Sequence, residues 1–254
     1  MPKEQHGLRE EWIKLAPHWI AEARQGGDVP RKGMLDAYML AACGDVQGMS
    51  ILDSGCGEGR FCRMLAERGA GFVVGVDTCE PMIEAARELQ SSKEEYILGD
   101  VEHMPFLQDE SFDLGVSYLN HCDLADFEAN VHEVFRVLKD GGRFIIVNIH
   151  PMRSATGLWQ RQPDGAKVHV ILDDYFAEGE RHFKMKGVEI TNFHRTLATY
   201  VRGFLKAGFI LEDIIEPTVS AEMVERYPEL DDELRVPNFI IYILKKPQGA
   251  LASL

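Results

Sequence analysis

The chain has 254 residues, 45% of them hydrophobic and 27% charged, and a formal net charge of −14. That size suits one large α/β unit with an accessory lid, and an acidic chain without a basic stretch lacks the footprint a nucleic-acid backbone requires. Five cysteines with no Cys-x-x-Cys pair argue against a disulfide framework or zinc ribbon; with neither a signal-peptide core nor a membrane-length apolar run, a reduced, cytoplasmic protein is expected.

Residues 8–25 place Trp12, Ile13, Ala16, Trp19, Ile20 and Ala23 at helical spacing, interrupted at Pro17. Gly26-Gly27-Asp28-Val29-Pro30 ends that pattern, and a second short helix follows over about 33–43. Strands are predicted at 49–54, 72–77, 95–99, 112–118 and 143–149, with helices near 58–68, 80–90 and 125–139 between them. The last of these helices carries Phe127, Val131, Val134, Phe135 and Leu138 on one face; Asp123 can cap its start and Gly141-Gly142 stop it. Residues 151–195 lose the pattern and read as a long lid or substrate-binding connection. Regularity returns with a helix near 196–207 and strands at 209–215 and 238–244; the acidic stretch 216–237 between them reads as a solvated loop. The organisation is therefore an N-terminal helical cap (1–45), a core (46–150), a lid insertion (151–195), a completion of the core (196–246) and a disordered tail (247–254). Alternating strands and helices predict a doubly wound α/β sheet with its ligand at the carboxyl ends of the strands.

The most informative stretch is Ile51-Leu52-Asp53-Ser54-Gly55-Cys56-Gly57-Glu58-Gly59-Arg60-Phe61. A buried strand ends in an acid, passes through three glycines and enters a helix, so the main chain can approach a ligand closely. Arg60 stands where a dinucleotide-binding loop would have its last glycine or alanine, which ranks a nicotinamide dehydrogenase last. An acid before the loop also suits a ligand with an ammonium better than a pyrophosphate.

This segment resembles the first motif of class I S-adenosylmethionine methyltransferases. Asp77 at the end of the second strand, Gly99-Asp100-Val101 after the third, and Leu119-Asn120-His121 after the fourth extend the resemblance. The resemblance implies a Rossmann-like seven-stranded sheet, its last strand antiparallel, with S-adenosylmethionine as donor and S-adenosylhomocysteine as product. It carries over Asp53, Gly55, Gly57, Asp77 and Asp100 as donor contacts, followed by Cys56, Thr78, Met82, Val101, Leu119 and Asn120. Asp77 would accept from both ribose hydroxyls, Asp100 from the adenine amino group, and Met82 and Val101 would pack on the adenine faces. Arg31 either pairs with the methionine carboxylate or is an ordinary surface arginine. Within the family, Val-Leu-Lys-Asp-Gly-Gly-Arg-Phe, Asn148-Ile149-His150-Pro151, Asp174-Tyr175-Phe176 and His194-Arg195-Thr196-Leu197 resemble the small-molecule branch, related to quinone-biosynthesis and type-11 enzymes.

Methyl transfer to a hydroxyl or ammonium needs a proton acceptor. His121, His150 and His194 follow strand ends or start a helix and are the candidate bases; each has a structural alternative. Tyr175, Phe176 and Trp159 either wall an apolar acceptor or form the lid's own core. Cys122 reads as a small buried or half-buried residue. His103, His132, His169 and His182 show no metal-ligand spacing, so no metal is expected. The expected partner is a small-molecule substrate, with no nucleic acid or membrane, for a monomer or homodimer. An RNA or protein methyltransferase and a non-catalytic donor-binding regulatory or scaffold subunit are the competing readings.

Overall fold

In the computed structural model, which describes residues 3–249, the chain opens with helix α1 (Lys3–Ala23), a single π-helical turn (Arg31–Leu35) and α2 (Asp36–Cys43). Helix α1 runs through Pro17 instead of breaking there. Its apolar face, including Trp12, Ile13, Trp19 and Ile20, packs against Cys79 and Met82, and that burial outweighs the lost backbone hydrogen bond.

The core follows as β1 (Ser50–Ser54), α3 (Arg60–Glu67), β2 (Phe72–Asp77), α4 (Glu80–Glu88), β3 (Glu94–Leu98), β4 (Phe112–Tyr118), α5 (Phe127–Val137) and β5 (Leu138–Ile149). Asp126, not Asp123, caps α5 by accepting from the Ala129 N–H at 3.0 Å. Nor do Gly141-Gly142 stop this helix: it ends at Val137 and passes straight into β5, which contains both glycines.

Residues 151–195 are more regular than expected. They form α6 (Pro151–Ala155) and two antiparallel hairpins, β6 (Leu158–Arg161) with β7 (Lys167–Ile171) and β8 (Gly179–Met185) with β9 (Val188–His194). These strands are largely solvent-washed, apart from the buried 190–192 segment and His194 of β9, so the apolar alternation that announces a strand is nearly absent. Lys186 and Gly187 both take positive φ, 51° and 84°, which suits a two-residue hairpin turn.

After α7 (Leu197–Lys206) and β10 (Ile210–Ile215), the acidic stretch holds α8 (Ala221–Arg226) and a 3-10 turn (Pro228–Leu234), then β11 (Phe239–Lys245) closes the sheet. The stretch is not simply a solvated loop. Leu230 is buried against the π-helical turn, where a Cβ on Gly33 would meet its side chain at 2.7 Å. Of the expected tail, residues 247–249 run into a turn, with the Gly249 N–H donating to the Asp140 carboxylate at 2.8 Å; residues 250–254 lie outside the described part.

The sheet order is β10-β11-β5-β4-β1-β2-β3, parallel except for β11, which runs antiparallel to both neighbours. Neighbouring residues Ile51 and Leu52 point to opposite faces and enter separate apolar cores, as β geometry requires. The strand order reverses at β1 and β4, so their carboxyl ends frame the crevice in which such sheets bind ligands. Among the described residues no helix is long and apolar enough to cross a membrane.

Candidate functional site

The loop after β1 is folded by its own backbone. The Gly55 and Cys56 N–H groups both donate to the Val76 carbonyl, at 2.9 and 3.1 Å, and the Gly57 N–H donates to Asp77 Oδ2 at 2.8 Å. Gly55 sits at φ +83°, and a Cβ there would collide with the Asn120 side chain; Gly57, at φ +54°, faces open space. Asp77 also accepts from the Cys79 N–H at 2.8 Å. The strand-end acid therefore fastens the loop to the start of α4.

Asp53 is 1% exposed. Its Oδ2 accepts from the Cys62 thiol at 3.2 Å, while Oδ1 has no partner among the described residues. Burial pushes its pKa up to about 7, opposed by the Cys62 hydrogen bond and reinforced by Asp77. Between pH 4 and pH 7 the folded protein thus holds a proton here that the unfolded chain has released, so this group's contribution to stability falls as pH rises through that window. Substitution Asp53→Asn is expected to flatten that fall. Urea unfolding of both proteins at pH 5 and pH 8 checks it, and an equal pH dependence would refute the assignment.

Two adjoining cavities lie above these strand ends. The larger, about 350 Å³, is lined by Asp77, Thr78, Met82, Asp100, Val101, Leu119 and Asn120 among others; the smaller, about 70 Å³, is lined by Asp53 and Cys56. Gly55, Gly57 and Arg31 border both. All twelve residues expected at the donor site therefore face one continuous region. The arrangement fits a zwitterionic nucleoside: a buried carboxylate with one oxygen unpartnered among the described residues and a guanidinium for the amino-acid part, the strand-end carboxylate of Asp77 for the hydroxyls, and Met82 with Val101 for the base. The larger volume lies at the low end of small-molecule pockets.

Arg31 is no surface arginine. Its side chain is 13% exposed and paired with Asp28, and its guanidinium lies 4.7 Å from the Trp19 ring centroid and 5.2 Å from that of Tyr118. The Tyr118 hydroxyl donates to Asp36 Oδ1 at 2.9 Å, and Asp36 also receives Arg60. Trp12, Trp19, Tyr118 and Asp123 line the site without having been singled out for it from sequence. The helical spacing marked the two tryptophans only as a packing face, and nothing local told which neighbours that face would meet.

Leu119 takes φ +56°, a costly conformation for a leucine. It follows β4 directly and re-aims the residues after it: Asn120 donates to the Ser54 carbonyl at 3.3 Å, and Asp123 faces the larger cavity.

None of the three candidate histidines lines either cavity. His121 is fully buried, with Phe127, Phe144 and Phe204 around it, and burial lowers its pKa to about 3. Its Nε2 pairs with Asn130 Oδ1 at 3.0 Å; because the Asn130 amide donates elsewhere, Nε2 must carry the proton. His150 caps α6, accepting the Met152 N–H at 3.1 Å and meeting Glu216 at 3.1 Å. His194 bonds Ser154 at 2.7 Å and the Tyr175 carbonyl at 2.9 Å. Apart from His121 Nδ1, which has no partner among the described residues, their ring nitrogens are committed to the frame. The lid aromatics are likewise outside the cavities: Trp159 donates to Asp232 at 2.9 Å under Arg235, Tyr175 accepts from the Leu197 N–H at 3.0 Å, and Phe176 is 88% exposed.

A family model described as a methyltransferase domain matches residues 52–146. An S-adenosylmethionine-dependent methyltransferase structure from Mesorhizobium loti is 31% identical, with a TM-score of 0.73 over 82% of this chain and 96% of that one. Another so described, from Listeria monocytogenes, is also 31% identical, with a TM-score of 0.71 over 84% and 96%. Malonyl-acyl-carrier-protein O-methyltransferase of Serratia marcescens is 34% identical over 122 residues, which span 47% of this chain and 46% of that protein. The chain thus matches about half the length of this curated relative.

Proposed function

The chain belongs to the S-adenosylmethionine-dependent methyltransferases, and from that premise we propose that it methylates a small-molecule acceptor by in-line displacement. When bound, the donor supplies an electrophilic methyl group on a sulfonium. The protein's part is to orient and enclose. Asp53 and Arg31 would hold the amino-acid end, Asp77 the ribose hydroxyls, and Asp100, Met82 and Val101 the adenine. Trp12 and Trp19 of α1 roof the larger cavity, and their T-shaped contact, 5.6 Å between ring centroids, supplies an apolar wall that limits water. Excluding water strengthens each of these electrostatic contacts.

The observation that carries this reading is the convergence of all twelve residues expected at the donor site on adjoining cavities, next to a buried carboxylate oxygen that lacks a partner among the described residues. The small size and helical roof of that space favour a small acceptor over RNA or a protein chain, and the net charge of −14 disfavours RNA further. The histidines, on this reading, brace the frame around the site.

Calorimetric titration with S-adenosylhomocysteine should give a dissociation constant in the micromolar range, that is about −8 kcal/mol. Methyl-labelled donor should then label a small metabolite from a cell extract. Absence of binding at millimolar ligand would overturn the donor assignment. Label appearing only in macromolecules would overturn the acceptor class, and binding without any transfer would favour a regulatory subunit.

A further inference from the structure

The geometry points to Asp123 as the group that takes the acceptor's proton during methyl transfer; this rests on the donor assignment above. Asp123 follows β4 by five residues, where the left-handed Leu119 turns the chain toward the larger cavity, and it lines that cavity with Trp12, Trp19 and Leu124. Its own N–H donates to the Asn120 carbonyl at 2.8 Å, which fixes the turn. Its Oδ1 accepts from the Asn192 side chain of β9.

Three further contacts hold the acid in place. The Phe193 N–H donates to the Cys122 carbonyl at 2.7 Å, and Glu11 of α1 accepts from both the N–H and the hydroxyl of Thr191, at 2.8 and 3.0 Å. Cap, lid and core thus meet around one carboxylate. Such support from neighbouring elements is what a positioned base requires.

Asp123 shares the larger cavity with the residues assigned to both ends of the donor: Arg31 and Asp77 line it too, as do Leu119 and Asn120 from the same turn after β4. An acceptor that enters this cavity therefore meets the Asp123 carboxylate. Burial raises its pKa, opposed by Arg31 and reinforced by Asp77, so its carboxylate is a stronger proton acceptor than an exposed one. No candidate histidine shares this position.

The acceptor is then a nucleophile that carries a proton, a hydroxyl or an amine. In the step, its oxygen or nitrogen forms a bond to the methyl carbon, and the sulfur–carbon bond breaks with its electron pair left on sulfur. The acceptor's proton moves to the Asp123 carboxylate, which later releases it to water.

Asp123→Asn keeps an oxygen for Asn192 and removes the base. The test uses single turnovers of methyl-labelled donor with iodide, which has no proton to lose, and with a set of small amines and phenols. Calorimetry with S-adenosylhomocysteine is run on both proteins. The expected result is that S-adenosylhomocysteine still binds and iodide methylation is not slowed, with methylation of amines or phenols slowed at least 100-fold relative to iodide. Equal slowing with iodide would make Asp123 a structural clamp and overturn the proposal, as would unchanged amine and phenol rates. An unsubstituted protein that binds S-adenosylhomocysteine and methylates iodide but no amine or phenol would also overturn it, while leaving the donor assignment standing. Failure of the unsubstituted protein to bind S-adenosylhomocysteine would remove the donor assignment itself.

Discussion

Gly55→Ala is expected to weaken S-adenosylhomocysteine binding at least 100-fold while leaving the protein folded. Two independent effects act at this position. The backbone φ of +83° lies where an L-residue costs about 1–2 kcal/mol. The added methyl would also overlap the Asn120 side chain, 2.5 Å from its Nδ2, so Asn120 would have to give up its hydrogen bond to the Ser54 carbonyl. The chain can relieve both only by moving the loop. That would pull the Gly55 and Cys56 N–H groups off Val76 and shift Gly57 from Asp77, the segment that lines both cavities. Gly57→Ala is the informative companion, because its Cβ meets no described protein atom within 4 Å; it should cost less stability than Gly55→Ala, since within the protein it carries only the φ cost. Urea unfolding of the two variants checks the order, and equal losses of stability would show that the Asn120 contact does not matter.

Asn130→Ala should cost about 3–5 kcal/mol of stability, a large share of the roughly 5–15 kcal/mol that holds a domain folded. Asn130 is fully buried and makes three side-chain hydrogen bonds: it donates to Ser54 Oγ and to the Val101 carbonyl, both at 2.8 Å, and accepts from His121 at 3.0 Å. Truncation strands a hydroxyl, a carbonyl and an imidazole N–H out of reach of water, at about 1–3 kcal/mol each, with partial relaxation keeping the total below their sum. The imidazole is the most exposed to this loss, since its Nδ1 already lacks a partner among the described residues. Because Asn130 joins the end of β1 to Val101, donor affinity should fall as well. Urea unfolding measures the first effect; a cost under 1 kcal/mol would mean that water or a rotated side chain replaces the amide.

Much of the lining of the two cavities was legible in the residue order because its demands are local. A strand-end acid followed by glycines at positive φ is written into adjacent positions, and strand alternation sets which acids reach the carboxyl edge. Asp53, Asp77 and Asp100 could therefore be placed at one edge of the sheet, where they line the two cavities, before any contact was known. The histidines could not. A strand end followed by a histidine looks the same whether the ring turns into a cavity or, like His121, into a cluster of phenylalanines. Only the packing of α5 and α7 against β5 decides that.

The order of strands and helices and the glycine loop after β1 thus follow from the sequence itself, because backbone conformation and face alternation depend on near neighbours. The tertiary structure alone decided the rest. Arg31 settled between Trp19 and Tyr118, solvent-washed strands paired as hairpins with little apolar alternation to announce them, and Asp123 left the helix cap to Asp126 and met Asn192 across 69 residues of chain. Each depends on surfaces that become neighbours only when cap, core and lid close on one another, and no short window of residues carries that information.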